Sequence, residues 1–353
     1  MRVLVVNPGS TSTKLAWFED GAEREACRST CPPEERLSPL TDQIESRRRV
    51  LEAFIKKTGA PRFDAVIALG GLLRAGPGGV YAVDRPMLAD LRAQRHGAHA
   101  SGLGALLAAD LSAQGHGVAL VADPISTDEL QPVARISGVP GIERWGRSHA
   151  LSLKAAARRA ATSLACDLSQ TRLVGLHLGG GISVAALKAG RIIDVNDAML
   201  GMGPFSGARA GALPLRGVLD LAFAPGAQRA EVETRLVKQS GLMGYLGTDD
   251  VRQVELRMAQ GDVLAQQVLE AMLYQVRKEA GAMAAALGFD VQAFAVTGGM
   301  VASEHIARAL QDTLSGMAPV LVYPGDLEMQ ALAEQAFAVL RGEIQAQEYG
   351  DAP

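Results

Sequence analysis

Eight residues near the start of the chain, Asn7-Pro8-Gly9-Ser10-Thr11-Ser12-Thr13-Lys14, are of the types that hold a phosphate. Glycine lets backbone N–H groups approach an anion, hydroxyls donate hydrogen bonds, and lysine adds a point charge. Apolar runs flank them, Val3 to Val6 and Leu15 to Phe18, and short apolar runs bounded by turn chemistry read as buried strands. A β-hairpin with a phosphate-friendly tip is expected. The strand–loop–helix motif G-x-x-x-x-G-K-[ST] does not apply, because a strand follows the loop.

The design recurs later in the chain. Leu173 to Leu178, with His177 in it, runs into Gly179-Gly180-Gly181, then Ile182-Ser183 and a second apolar run to Leu187. A second echo pairs Ala65–Leu73 with Ala293–Val301, each a strand running into a double glycine, Gly70-Gly71 and Gly298-Gly299. Two such tips in two halves point to internal duplication, with a ligand clamped between the halves.

The elements that must position these residues alternate. A turn is expected at Glu19-Asp20-Gly21, then a third strand toward Cys31, after which Pro32-Pro33 and the charged 34–49 region lead into a helix near 44–57. Strands follow at 63–68 and 118–122, with helices near 86–94 and 102–114 and a Gly-Pro-Gly-Gly loop at 76–79. Asp123 sits at a strand end, where open α/β sheets carry ligand-facing residues. A composition shift near 138–149 marks a domain boundary, giving domains 1–148 and 149–325. Beyond it come helices near 150–165, 227–240 and 260–287, strands at 292–297 and 319–323, and a last helix near 327–341. Asp326 and Glu328 at that helix's start suit its dipole as capping acids.

With 353 residues the chain is long for one core. At 48% apolar, 21% charged and a net charge of −3, nothing pushes it toward nucleic acid or a membrane. No apolar run reaches spanning length, and the chain enters a strand at once, leaving no room for a signal peptide. Three cysteines, with Cys27 and Cys31 lacking a second metal-ligand pair, favour a reduced, cytoplasmic setting. His96, His116 and His305 read as surface residues.

Taken in order, NPGSTSTK (7–14), DELQPVARISGVPGIER (128–144), HLGGGISV (177–184), GPFS (203–206), YLGT (245–248), TGG (297–299) and YPGDLEMQALAE (323–334) resemble the acetate and butyrate kinases. Within that family the segments are most similar to the butyrate, or branched-chain fatty acid, kinases. The resemblance implies an α/β fold of two duplicated actin-like (ribonuclease H-like) domains with a ligand cleft between them, and a last helix, 326–345, returning to the first domain. It implies reversible phosphoryl transfer from ATP to a short-chain carboxylate, giving acyl phosphate and ADP with Mg²⁺, in a homodimer or higher homo-oligomer. A carboxylic acid, with a pKa of about 4, is already an anion at neutral pH and needs no general base. The site must neutralise charge and align the reactants.

By resemblance Asn7 and Glu328, with Asp326 as the alternative acid, hold the Mg²⁺ shell, and Ser10, Ser12 and Lys14 meet the phosphates. Arg209, His149, Asp123 and His99 are the implied catalytic residues. His177, Gly179, Gly180, Gly181 and Ser183 cradle ATP phosphates, while Gly298 and Gly299 face the adenosine. The chain departs from the family pattern in places. The arginine before the double glycine is Leu69, the asparagine near His99 is Gly102, and two acids near GPFS are Leu200 and Met202. Arg74 is a candidate to fold back in place of the lost arginine, although five positions along it reads as structural. The alternative to an acyl kinase is a nucleotide-binding paralogue with altered substrate or little turnover.

Overall fold

A computed structural model describes residues 1–32, 34, 38–59 and 62–350, so Pro33 and part of the expected charged lead-in lie outside them. In chain order the strands are β1 (Arg2–Pro8), β2 (Ser12–Glu19), β3 (Ala22–Thr30), β4 (Ala65–Ala68), β5 (Val80–Ala82) and β6 (Val118–Ala122). They continue with β7 (Arg172–Leu178), β8 (Ile182–Lys188), β9 (Arg191–Val195), β10 (Ala293–Gly298), β11 (Val320–Pro324) and β12 (Gln347–Glu348). The chain divides into two compact units, Met1–Asp128 with Glu328–Pro353, and Glu129–Leu327.

Unit 1 holds a seven-stranded sheet in the order β12-β5-β6-β4-β1-β2-β3. Strands β1, β2 and β3 form an antiparallel meander, and β4 and β6 continue from β1 in parallel. Val3 to Val6 are fully buried, as expected of a central strand covered on both faces. The helix Gly102–Ala113 is almost entirely small or apolar, so it can lie close against β1, β4 and β6. A Cβ on its Gly104 would come within 2.8 Å of the Ala68 side chain, which is why glycine stands there.

Unit 2 repeats the plan with a five-stranded sheet ordered β11-β10-β7-β8-β9. Again a meander, β7-β8-β9, is extended in parallel by β10 and then β11. Its core is built on the helix Val263–Ala286, where Ala265, Leu269, Met272, Leu273, Val276 and Ala280 are buried at helical spacing. The expected duplication is thus a duplication of sheet topology. In unit 1 the helix Glu328–Leu340 packs on β1 and β4; in unit 2 the helix Ala150–Ser163 packs on β7 and β10.

The division falls at Asp128/Glu129, ahead of the 148/149 boundary expected from composition. Residues 129–147 are tied into unit 2. Glu129 bonds Lys154 at 3.0 Å and the Ile192 N–H at 2.8 Å, Gln131 N–H donates to the Ile193 carbonyl, and Arg144 bonds Asp194 at 2.7 Å. Three short helices, Leu215–Ala222, Gly241–Leu246 and Val251–Ala259, were not legible in the sequence. Gly241 opens the second of these at a φ of 61°.

Candidate active site

Three residues, Gly9 to Thr11, separate β1 from β2, and three, Gly179 to Gly181, separate β7 from β8. In the first tip the Gly9 N–H donates to the Ser12 carbonyl at 2.7 Å, while Ser10 and Thr11 are exposed. Beside it, buried Asn7 donates its amide to Glu328 Oε2 at 2.7 Å, and Lys14 Nζ lies 4.0 Å from the same oxygen. The structure therefore brings Asn7, Lys14 and Glu328 together and makes Glu328 the acid that meets Asn7. Ser12 faces inward, its hydroxyl accepting from Arg28 Nε at 3.2 Å.

Asp123 closes β6 with a φ of 39°, a left-handed conformation that an aspartate tolerates better than most residues. It is 1% exposed. One carboxylate oxygen accepts the Gly79 N–H at 2.8 Å, the other the Gln335 amide at 3.5 Å, so the acid pins the Gly-rich loop to the strand end. His99 bonds Ser101 through Nδ1 at 2.7 Å. It lines a pocket of about 280 Å³ whose walls include Leu72, Leu91, Leu103 and Leu106. Arg74 does not reach back toward Leu69. Its backbone N–H donates to the Tyr349 hydroxyl at 2.9 Å, its guanidinium bonds the Tyr349 carbonyl, and it lies over the Tyr349 ring. Tyr349 in turn donates to Asp90 at 2.7 Å. Burial, the largest cause, and the bond to Asp90 push the phenol up to about 12.

In unit 2 the second tip is packed from behind. A Cβ on Gly181 would lie 2.1 Å from Arg209 Nη1 and 3.1 Å from the His149 ring, so only glycine admits both side chains. Gly180, by contrast, has open space at its Cβ position. Arg209 donates to the Ala198 carbonyl, and its own carbonyl accepts the Ser206 N–H at 3.0 Å. Burial pulls its guanidinium below the usual range, with the Asp197 charge acting the other way. His149 stacks on His177 with ring centroids 4.1 Å apart.

Ser183, expected in the phosphate cradle, is fully buried. Its Oγ accepts the His149 backbone N–H at 3.2 Å and lies 2.8 Å from His149 Nδ1. The hydroxyl and the backbone N–H fix the orientation of the His149 ring. Ser183 thus acts on its histidine. Asn196, which sequence reasoning missed, holds the start of β8 through the Val184 N–H at 2.7 Å and the Ile182 carbonyl at 3.0 Å. Gly298 ends β10 at a φ of 109°, and a Cβ there would strike the Leu178 carbonyl at 2.2 Å; Gly299 is open.

Residues 135–331 match the model of the acetokinase family. The chain is 40% identical to a probable butyrate kinase of Enterococcus faecalis over 99% of its own length and 98% of that protein. It is 38% identical to a probable butyrate kinase of Clostridium botulinum, covering 99% of each chain. Among solved structures it resembles the acetate kinase of Porphyromonas gingivalis, with a TM-score of 0.77 at 20% identity over 96% of this chain and 99% of that one. The doubled sheet topology is accordingly the duplicated actin-like fold of those kinases. On these grounds the chain belongs to the acetokinase family, whose members use ATP and ADP.

Proposed function

We propose that this protein moves the γ-phosphoryl group of ATP onto a short- or branched-chain carboxylate of the butyrate kind, giving an acyl phosphate and ADP, reversibly. The observation that carries the reading is the packing of Arg209 and His149 against Gly181, which puts a partly desolvated cation and a histidine behind one glycine tip. Such a pair suits a transition state that spreads charge over equatorial phosphoryl oxygens. The carboxylate attacks as the anion it already is, so the site needs no base. Arg209 screens the repulsion between the two anions, and His149, oriented by Ser183, hydrogen-bonds the moving group. Ser10, Lys14 and the N–H groups of the first tip take phosphate oxygens.

Among the described residues no cluster of three or more His, Cys, Asp or Glu could cage a metal. Mg²⁺ is normally held by one or two protein oxygens, substrate phosphates and water, and Asn7 with Glu328 fits that donor set. When bound there, Mg²⁺ would neutralise phosphate charge. Asp123 shapes the neighbouring loop, and the pocket beside His99 offers apolar room for an acyl tail. No helix among the described residues is long and apolar enough to cross a membrane; we place the reaction in the cytoplasm. A homodimer fits the helix Leu215–Ala222, which buries none of its residues and exposes Leu215, Leu219 and, just past its end, Phe223 on one stripe.

A hydroxamate assay with ATP, Mg²⁺ and acids of two to six carbons tests the reading, with a four- or five-carbon acid expected to give the highest rate. One observation favours the second reading, a nucleotide-binding paralogue: Leu69 stands at the arginine position, and Arg74 is tied to Tyr349 instead. Nucleotide binding without hydroxamate from any acid would establish it.

A further inference from the structure

The helix Leu40–Thr58 sends one charged side chain beneath the first tip. Arg47, 2% exposed, donates from Nη1 to Thr13 Oγ1 at 2.6 Å. Its Nη2 donates to the Gly9 carbonyl at 3.0 Å and to Gln43 Oε1 at 3.4 Å. Gly9 and Thr13 flank the exposed Ser10 and Thr11, so one planar fork ties the two ends of the tip together. All three acceptors are neutral oxygens. Among the described residues Arg47 has no carboxylate partner, and its buried Nε has no acceptor. A buried charge without counter-charge is costly, and folded chains rarely keep one. This one is kept under a loop of glycine, hydroxyls and Lys14, with Arg28 adding a further cation at Ser12.

We propose that Arg47 is a positioning residue for nucleotide binding: it fixes the tip in its anion-receiving shape, and a phosphate group docked on the tip serves as its counter-ion. The proposal rests on the reading of the β1–β2 tip as a phosphate site. It gives helix Leu40–Thr58 a part in substrate recognition although the helix supplies no side chain to the reacting atoms. Lysine, with the charge but not the fork, should preserve the counter-ion effect, whereas glutamine should lose it.

The test measures ATP affinity by calorimetry together with Tm, with and without Mg²⁺-ATP, for the full chain and two variants. Arg47→Gln should weaken ATP binding about tenfold and shrink the ATP-induced rise in Tm, while its unliganded Tm stays level or rises. Arg47→Lys, which keeps the charge but loses the fork, should bind ATP less tightly than the unmodified protein and more tightly than Arg47→Gln. A fall in unliganded Tm with the ATP-induced rise intact would mean that Arg47 only props up the fold, and the proposal fails. It also fails if lysine binds as weakly as glutamine. Should Arg47→Gln not fold, the lysine variant decides alone, since a tenfold loss of affinity at unchanged Tm overturns the counter-ion role. Lys14→Met separates the premise: unchanged ATP affinity there would sink the phosphate reading of the tip, whatever Arg47 does.

Discussion

At the next-to-last position of its first strand unit 1 carries Asn7, and unit 2 carries His177 at the same place. Across the hairpin Asn7 pairs with Lys14 and His177 with Ser183. The third corner matches as well. Glu328 opens the helix that covers β1 and β4, and His149 immediately precedes the helix that covers β7 and β10. One duplicated backbone thus presents two trios at equivalent points. The first joins amide to carboxylate at 2.7 Å with an ammonium group 4.0 Å away. The second joins hydroxyl to imidazole at 2.8 Å under a ring stack. A trio with a carboxylate suits a hydrated cation, and a trio of two imidazoles and a hydroxyl backed by Arg209 suits a phosphoryl group. The two trios differ in side-chain chemistry with little change of scaffold.

Breaking the second trio should cost most. Arg209→Ala should lower kcat by about 10²–10³ while ATP affinity changes little, by the scale of losing one electrostatic donor; an unimpaired kcat in steady-state assays would remove Arg209 from the chemistry. Next, Gly181→Ala drives a methyl group into Arg209 and His149 and should cost about 1–3 kcal/mol in denaturant unfolding as well as most of the activity. Gly180→Ala, in open space, should be nearly silent, so equal effects at the two glycines would refute the packing argument.

In the first trio, Glu328→Gln should raise the Mg²⁺ concentration needed for half-maximal rate by about tenfold, read from a Mg²⁺ titration at saturating ATP. An unaltered titration would leave the two trios without the proposed division. A smaller effect is expected from Asp90→Asn, which weakens the Tyr349 and His96 contacts and should lower stability by about 1 kcal/mol at neutral pH. Burial opposes the Asp90 charge, yet bonds from Tyr349 and His96 outweigh it and hold the carboxyl below its ordinary value. A depressed carboxylate stabilises the fold above its unfolded pKa of about 4, and the gain is lost as pH falls through the folded pKa. The gap in unfolding midpoint between the unmodified chain and the Asp90→Asn variant should therefore narrow on acidification below that value.

Both hairpins and the double-glycine strand ends were legible because buried strands and tight tips leave strong local marks, whereas the return of the last helix followed only from the family resemblance. The second tip was readable as three glycines, but its reason, the Arg209 and His149 atoms behind Gly181, lies in contacts distant in sequence. Ser183 looked like a phosphate donor from its place after the glycines; strand alternation turned it inward onto His149. Arg47 carried no signal at all, since an arginine in the run Arg47-Arg48-Arg49 reads as one face of a solvated helix. Arg48 shows the ordinary outcome, pairing with Asp110 at 2.5 Å, and Arg49 is exposed. Helix Leu215–Ala222 does carry a helical apolar stripe, but at eight residues between loops it is too short to stand out in the sequence.

The hydrogen bond between Asn7 and Glu328 joins residues 321 positions apart. During synthesis at roughly 5–20 residues per second, β1 therefore leaves the ribosome tens of seconds before the helix that covers it. Unit 2 is one unbroken stretch and can finish folding while the sheet of unit 1 still waits with its β1–β4 face uncovered. A nascent or prematurely terminated chain thus holds a complete second tip but an open first sheet, a species suited to chaperone capture and unable to form the acid–amide pair. A chain cut short before Glu328 lacks the acid that Asn7 meets, so the pair at the end of β1 cannot form.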